Sequence, residues 1–84
     1  MLPTIKRDGN LTTIYMDDRV LWFSYDTLVA FQSISTKTGI EKVVHENVWS
    51  ASTGKHLNSI DGGDKESRVD HRTFHDKWYK LLGE

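Results

Sequence analysis

The hydrophobic pattern of this 84-residue chain changes its period about halfway along, and that change restricts the folds open to it. As far as residue 49, short apolar runs alternate with polar breaks such as Asp8-Gly9-Asn10, which is typical of strands joined by tight turns. Five such runs predict an antiparallel meander. The predicted strands are Leu2–Lys6, Leu11–Met16, Val20–Phe23, Thr27–Phe31 with a weaker continuation to Ser35, and Ile40–Trp49, the last two being joined by a loop over Thr36–Gly39.

A short helix is predicted to follow the sheet. Ser52 or Thr53 can serve as its N-cap, and Leu57 and Ile60 share one face of it. The glycine-containing segment 61–64 ends this helix and forms a link to the next element. Residues 65–69 are compatible with either a loop or a short extra strand.

The C-terminal segment predicts an amphipathic helix that packs on one face of the sheet. Asp70 is the expected N-cap, and Gly83 follows the last turn near Leu82. The expected apolar stripe consists of Phe74, Trp78, Leu81 and Leu82. Together these elements predict an α+β fold with a small sheet of about five strands, built as a single domain over residues 1–84.

Composition excludes several functional classes. The chain has no cysteine, which removes disulfide frameworks, thiol nucleophiles and cysteine-based zinc sites. The net charge of −1 gives no overall basic surface for nucleic acid. The N-terminus lacks the apolar run of a signal peptide, and Ser24 to Thr27 interrupt the longest apolar patch. We therefore expect a cytoplasmic protein without a membrane span.

Two pairs of side chains have spacings that metal or catalytic sites use. His71 and His75 have the i, i+4 spacing of zinc ligands, but His45 and Glu46 are a poor source of the further ligands that a tetrahedral site needs, so no metal is predicted. Ser52 and His56 are also four residues apart, yet no strained nucleophile turn surrounds the serine. A small chain with little pocket volume is a poor enzyme candidate, and we predict neither catalytic activity nor a cofactor.

The segment 47–58 holds an unusual density of polar groups between two structural elements. Gly54-Lys55 does not belong to a phosphate-binding loop, because Trp49 and His56 occupy positions that such a loop gives to Gly and to Ser or Thr. Two interpretations stay open: a corner that holds the fold, or a recognition surface. The candidate binding residues are Tyr25, Asn47, Trp49, Ser52, Thr53, Lys55, His56 and Asn58.

Two stretches of this chain resemble a family of short, uncharacterised phage and mobile-element proteins. The family pattern is Ser-Tyr-x-Thr-x-(Val/Ile)-Ala, a spacer, and Asn-x-x-Ser-x-Thr-Thr-x-(Lys/Arg)-His-(Leu/Ile)-Asn. Here the stretches are Ser24–Phe31 and Asn47–Asn58, with Ser52 in place of a frequent Thr. The resemblance covers roughly residues 22 to 60 and implies a phage-type origin without assigning an activity.

These observations predict a small non-enzymatic phage-type accessory protein. We expect it to bind a host macromolecule in the host cytosol, most concretely a host protein of a defence system, as an anti-CRISPR-type inhibitor does. The alternative is a nucleic-acid-binding module that uses the segment Trp49–Asn58, although acidic residues interleave with the basic ones. The edge strand Leu2–Lys6 is a candidate for pairing with a second copy in a homodimer.

Overall fold

The protein forms one five-stranded antiparallel sheet followed by two α-helices. The structure, a computed structural model, describes residues 3–35 and 39–83. The strands pair in chain order and are β1 (Thr4–Asp8), β2 (Leu11–Tyr15), β3 (Arg19–Ser24), β4 (Thr27–Ser35) and β5 (Gly39–Val44). This confirms the predicted meander and the α+β class. Leu2 and Thr36–Thr38, which belong to the predicted first strand and β4–β5 loop, lie outside the described residues.

The last strand ends earlier than its sequence pattern predicts. β5 stops at Val44 rather than at Trp49. His45 makes a single parallel bridge to Val69, with the Glu46 N–H donating to the Val69 carbonyl at 2.8 Å. Residues after His45 therefore hydrogen-bond to a distant segment and to nearby side chains instead of extending the β4–β5 ladder.

The first helix, α1 (Ala51–Asp61), begins one residue after its cap at Ser50. The Ser50 hydroxyl accepts from the Thr53 N–H at 3.4 Å, so the predicted caps Ser52 and Thr53 are wrong. They lie inside the helix, and Thr53 is buried against the sheet. The helix runs to Asp61, slightly beyond the end at Asn58 or Ile60 that the sequence predicts, and it stops at Gly62, whose φ of 69° is the left-handed conformation that favours glycine.

The second helix, α2 (His71–Leu82), follows the prediction closely. The Asp70 carboxylate caps it by accepting from the Thr73 N–H at 2.8 Å, and this bond lowers the pKa of Asp70. Before it, residues 65–67 form one 3-10 turn, and the bridge at Val69 is the only strand-like feature of that connection. Leu82 departs from the predicted apolar stripe because it is exposed at the helix end.

The two helices lie on opposite faces of the sheet. Ala30 and Phe31 are neighbours in β4 and therefore point to opposite sides. Ala30 belongs to a core cluster with Leu57 of α1, whereas Phe31 belongs to a cluster with Phe74 of α2. A register shift makes Val29 an extra residue in β4, and it too is fully buried in the α1 cluster.

This arrangement explains why the middle strands are apolar on both faces. The run Val20–Phe23 is apolar at successive positions, which is typical of a strand that is covered on both sides or central in a sheet. β3 contributes Trp22 to the α1 side and Leu21 to the α2 side. The outer strand β1 is exposed along its whole length. Within the described part of the chain, neither helix is long and apolar enough to cross a bilayer.

Candidate functional site

A hydrogen-bonded polar cluster joins the β3–β4 hairpin to α1. Ser24, the last residue of β3, is buried, and its hydroxyl lies 3.0 Å from the Thr53 hydroxyl and 2.7 Å from Nδ1 of His56. Thr53 and His56 are three residues apart and therefore project from the same face of the helix. The three side chains fix the position of α1 on the sheet by directional bonds, where a purely apolar contact would allow sliding.

Tyr25 has an uncommon backbone conformation next to this cluster. It is the first residue of a two-residue hairpin turn between Ser24 and Thr27, with φ of 56°. Turns with positive φ at this position usually take glycine, and a side chain there costs about 1–2 kcal/mol. The phenol ring is 50% exposed and lies 5.9 Å from the His56 ring. Backbone geometry and the His56 contact together hold the aromatic ring at the surface.

Asn47 organises the bend that leads into α1. Its side-chain oxygen accepts from the Trp49 N–H at 3.0 Å, and its amide nitrogen donates to the Ser50 carbonyl at 3.1 Å. A Cβ atom at Gly54 would come within 2.9 Å of that amide nitrogen. Glycine at this position lets the Asn47 side chain lie directly against the helix backbone, and a larger residue would have to displace that side chain.

Arg68 ties the end of α1 to the connection before α2. Its guanidinium donates to both carboxylate oxygens of Asp61, at 2.7 and 3.0 Å, and to the Asn58 side-chain oxygen at 3.0 Å. The Arg68 and Asp61 side chains are only 4% and 9% exposed. The bonds from Arg68 lower the pKa of Asp61 against the opposing effect of burial, and the same bonds raise the pKa of Arg68.

Most residues of the two resembling stretches thus have a structural function. Within the part of the chain that the structure describes, Ser52 and Lys55 form no hydrogen bond or ion pair through their side chains. Both are exposed on the outer face of α1. Together with Tyr25, they are the predicted site residues whose side chains contribute least to holding the fold.

Two open grooves flank the exposed face of α1, and Lys55 lines both. One groove, of about 400 Å³, lies between α1 and the β1–β2 turn and includes Tyr25, Ser52 and His56. The other, of about 350 Å³, lies on the opposite side of the helix and includes Asn47, Asn58 and Arg68. We call Tyr25, Ser52, Lys55 and His56 the α1 ridge, since they form the border of the first groove.

Trp49 lies away from the α1 ridge and packs against His45. Its ring lies 4.7 Å from the ring of His45, which is buried and in turn contacts Phe74 and His71 of α2. The predicted site residues therefore do not form one cluster. Four of them, Tyr25, Ser52, Lys55 and His56, line the first groove, and Asn47 and Asn58 line the second. Thr53 is buried, and Trp49 lies against His45.

His45 is a structural residue that the sequence pattern did not single out. Its Nδ1–H donates to its neighbour, the Glu46 carbonyl, at 2.6 Å, because a carbonyl oxygen can only accept. In the neutral ring, Nε2 is then an acceptor, and it lies 3.2 Å from Nδ1 of His71. Only its position at the end of a β-branched strand could have indicated burial.

His71 and His75 lie side by side on α2 with ring centroids 4.2 Å apart. Their i, i+4 spacing is one that two zinc ligands on a helix can have. Among residues 3–35 and 39–83, no three His, Asp or Glu side chains are grouped so that they could hold a metal ion. Every fully buried side-chain nitrogen and oxygen in these ranges has a hydrogen-bond partner.

The fold and the site define a small α+β protein with an ordered polar corner and an exposed helix face beside it. The chain belongs to a family of unknown function, DUF8033, whose model matches residues 4–77. This match includes all the residues of the α1 ridge. No curated protein and no solved structure matches the chain.

Proposed function

We propose that this protein is a non-enzymatic, phage-type accessory protein that binds a host protein through the α1 ridge. In its most concrete form it inhibits a host defence system in the host cytosol, as an anti-CRISPR-type protein does. The observation that carries the proposal is Tyr25, whose exposed ring is held outward in a strained turn. Strain of this kind is concentrated at functional sites, where surrounding structure maintains it.

The surroundings of Tyr25 support recognition rather than chemistry. Ser24 is only 2% exposed, so a substrate could not reach its hydroxyl, even though that hydroxyl is hydrogen-bonded to Nδ1 of His56. Tyrosine supplies a large contact area with few rotatable bonds, and such residues frequently dominate protein–protein interfaces. Lys55 adds a cation next to it, which favours a partner surface that carries a carboxylate opposite.

The phage-type origin rests on the two resembling stretches, Ser24–Phe31 and Asn47–Asn58. Their structural residues build the corner, and the corner in turn presents Tyr25 and Lys55. The resembling stretches thus contain both the residues that build this support and those of the α1 ridge.

A capture experiment with matched variants tests this proposal. Immobilised wild-type protein should retain one host protein in a stoichiometric complex from lysate. The double variant Tyr25→Ala/Lys55→Glu should lose it. Tyr79→Ala/Lys80→Glu, which changes the same residue types on the exposed face of α2, should retain it. Circular dichroism and thermal melting of each variant establish that it is folded.

Two outcomes would contradict the proposal. If no host protein is retained, or if both double variants bind equally, the α1 ridge is not the recognition surface. Retention on single- or double-stranded DNA that falls steeply with salt would favour the nucleic-acid-binding alternative through Trp49–Asn58. In that case Trp49→Ala and Lys55→Ala should both weaken binding, although Trp49 lies beside His45 and outside the ridge.

A further inference from the structure

The two edges of the sheet are treated differently by the fold. At the β5 edge, the segment around Val69 pairs with the strand end: the Val69 N–H donates to the Val44 carbonyl at 2.9 Å, and His45 bridges to Val69. At the opposite edge, β1 pairs with β2 alone among the described residues. An exposed strand edge carries unpaired backbone donors and acceptors and can add another strand.

A row of apolar side chains crosses the sheet and ends at this open edge. Each member lies directly opposite the next on the face covered by α2, and the row consists of Val43, Phe31, Leu21, Ile14 and Ile5. Exposure increases along it: Val43 and Phe31 are buried, Leu21 and Ile14 are half-buried, and Ile5 is 64% exposed. The hydrophobic core thus extends as far as β1 and is left uncovered there.

We propose that β1 pairs antiparallel with β1 of a second copy, with Ile5 on the two-fold axis. Ile5 then faces Ile5 of the other copy, and the two apolar rows become one continuous row of ten residues. Cross-strand apolar pairs stabilise such sheets, and the added strand offers backbone partners to the outer edge of β1.

The charges of β1 select this register over the adjacent ones. An axis at Lys6 would set lysine against lysine, and an axis at Arg7 would set arginine against arginine; directly opposed like charges are destabilising. An axis at Thr4 would set Ile5 against Pro3, so the two Ile5 side chains would not face each other and the two apolar rows would not meet. With the axis at Ile5, Lys6 faces Thr4 and Arg7 faces Pro3, so no like charges are opposed.

One strand pair and one apolar row make a small interface. It falls short of the roughly 1,200–2,000 Å² that stable protein–protein contacts bury. We therefore expect a concentration-dependent equilibrium between monomer and dimer, not a permanent dimer. This inference does not depend on the proposed function. The α1 ridge borders the groove between α1 and the β1–β2 turn, whereas the proposed dimer uses the outer backbone edge of β1.

Sedimentation velocity across a concentration series tests the dimer. Ile5→Lys should weaken dimerisation by at least about 100-fold, because it places two cations at the axis. Ile40→Lys is the matched control: Ile40 is 69% exposed and lies on the other edge strand, so the same substitution there should leave the equilibrium within about twofold of wild type.

Single-cysteine variants test the register, since the natural chain contains no cysteine. Under mild oxidation, Ile5→Cys should form a disulfide-linked dimer, because directly opposed residues lie within disulfide reach. Arg7→Cys should not, because the two cysteines would be about 14 Å apart in this register. This measurement uses a folded surface variant and keeps the proposal testable if Ile5→Lys fails to fold.

Three results would overturn the proposal. The first is a wild-type monomer at every concentration up to about 1 mM. The second is a dimer that Ile5→Lys and Ile40→Lys weaken equally. The third is cross-linking through Lys6→Cys or Arg7→Cys in preference to Ile5→Cys, which would place the axis elsewhere on the strand.

Discussion

The two sides of the sheet are held to their helices by different interactions. On the α2 side, aromatic rings predominate: the Phe31 ring lies 5.2 Å from both Phe74 and Trp78. On the α1 side, the apolar contact through Leu57 is supplemented by the bonds of Ser24 to Thr53 and His56. Apolar burial is non-directional, whereas hydrogen bonds fix orientation.

This difference shows how stability and orientation are divided within a small protein. The α2 side buries the apolar side chains of Phe31, Phe74 and Leu81. The α1 side has a more polar interface that fixes the position of one short helix, and with it the direction in which Tyr25 and Lys55 point. A surface that must be recognised benefits more from fixed orientation than from additional cohesion.

The largest predicted effect is on the aromatic side. Phe74→Ala removes a buried ring that contacts both Phe31 and His45, and it should lower the free energy of unfolding by about 3–5 kcal/mol. Urea denaturation followed by tryptophan fluorescence measures the loss. A loss of unfolding free energy no larger than that expected below for His56→Ala would contradict the proposed difference between the two sides of the sheet.

Asp61→Asn should produce the next largest effect, of about 1.5–3 kcal/mol at neutral pH, because nearly buried Arg68 loses its charged partner. Since the pKa of Asp61 is lowered in the folded state from its ordinary value of 3.8, its contribution is present above that pH and disappears as the pH falls through the folded-state pKa. The stability difference between wild type and Asp61→Asn should therefore shrink below about pH 4. Denaturation midpoints at several pH values check this, and a constant difference would argue against it.

His56→Ala tests the polar side directly. It leaves Ser24 and Thr53 bonded to each other, and we expect a loss of about 1–2 kcal/mol, which for a domain of this size lowers the melting temperature by roughly 4–16 °C. Thermal melting gives the value. An unchanged melting temperature would mean that His56 is not part of the support and serves binding alone.

The effect of Gly54→Ala on the free energy of unfolding should have opposite signs in the wild type and in the Asn47→Ala variant. In the wild type, the added methyl group displaces Asn47 and should destabilise by about 1 kcal/mol, although alanine is the better helix former. In the Asn47→Ala background the obstruction is gone, and the same substitution should stabilise by up to about 1 kcal/mol. A double-mutant cycle in urea measures the coupling. The same sign in both backgrounds would mean that Asn47 and Gly54 are not coupled.

The smallest stability effect is expected at Tyr25. Tyr25→Gly relieves the positive-φ strain but loses the ring contact with His56, so the two changes should cancel to within about 1 kcal/mol. If the α1 ridge binds a partner, this variant should nevertheless lose binding. A large destabilisation would instead make Tyr25 part of the structural corner.

Local signals in the sequence predicted much of this fold. The turn residues between strands, the Asp70 cap and the α2 stripe all act within a few positions of one another, and the structure confirms them except for Leu82, which is exposed. The end of β5 and the true cap at Ser50 depend on Val69 and Asn47, which act through contacts that periodicity does not contain. Element boundaries were therefore less predictable than element types.

The candidate site was predictable in composition but not in arrangement. The density of polar residues in segment 47–58 indicated either a corner or a recognition surface, and the contact of Tyr25 with His56 brings the two resembling stretches together. The separation of Trp49 from Lys55 was not foreseeable, because it depends on His45 being buried beneath α2. Likewise, nothing local predicts that Arg68 bonds Asn58 across ten residues of sequence.

The difference between the two edges of the sheet also limits how many chains can associate. A dimer through β1 uses the open edge of both copies at once and leaves only β5 edges outward, where the backbone beyond Val44 is already bonded to Val69. Association of this isologous kind closes at two chains instead of propagating into a filament.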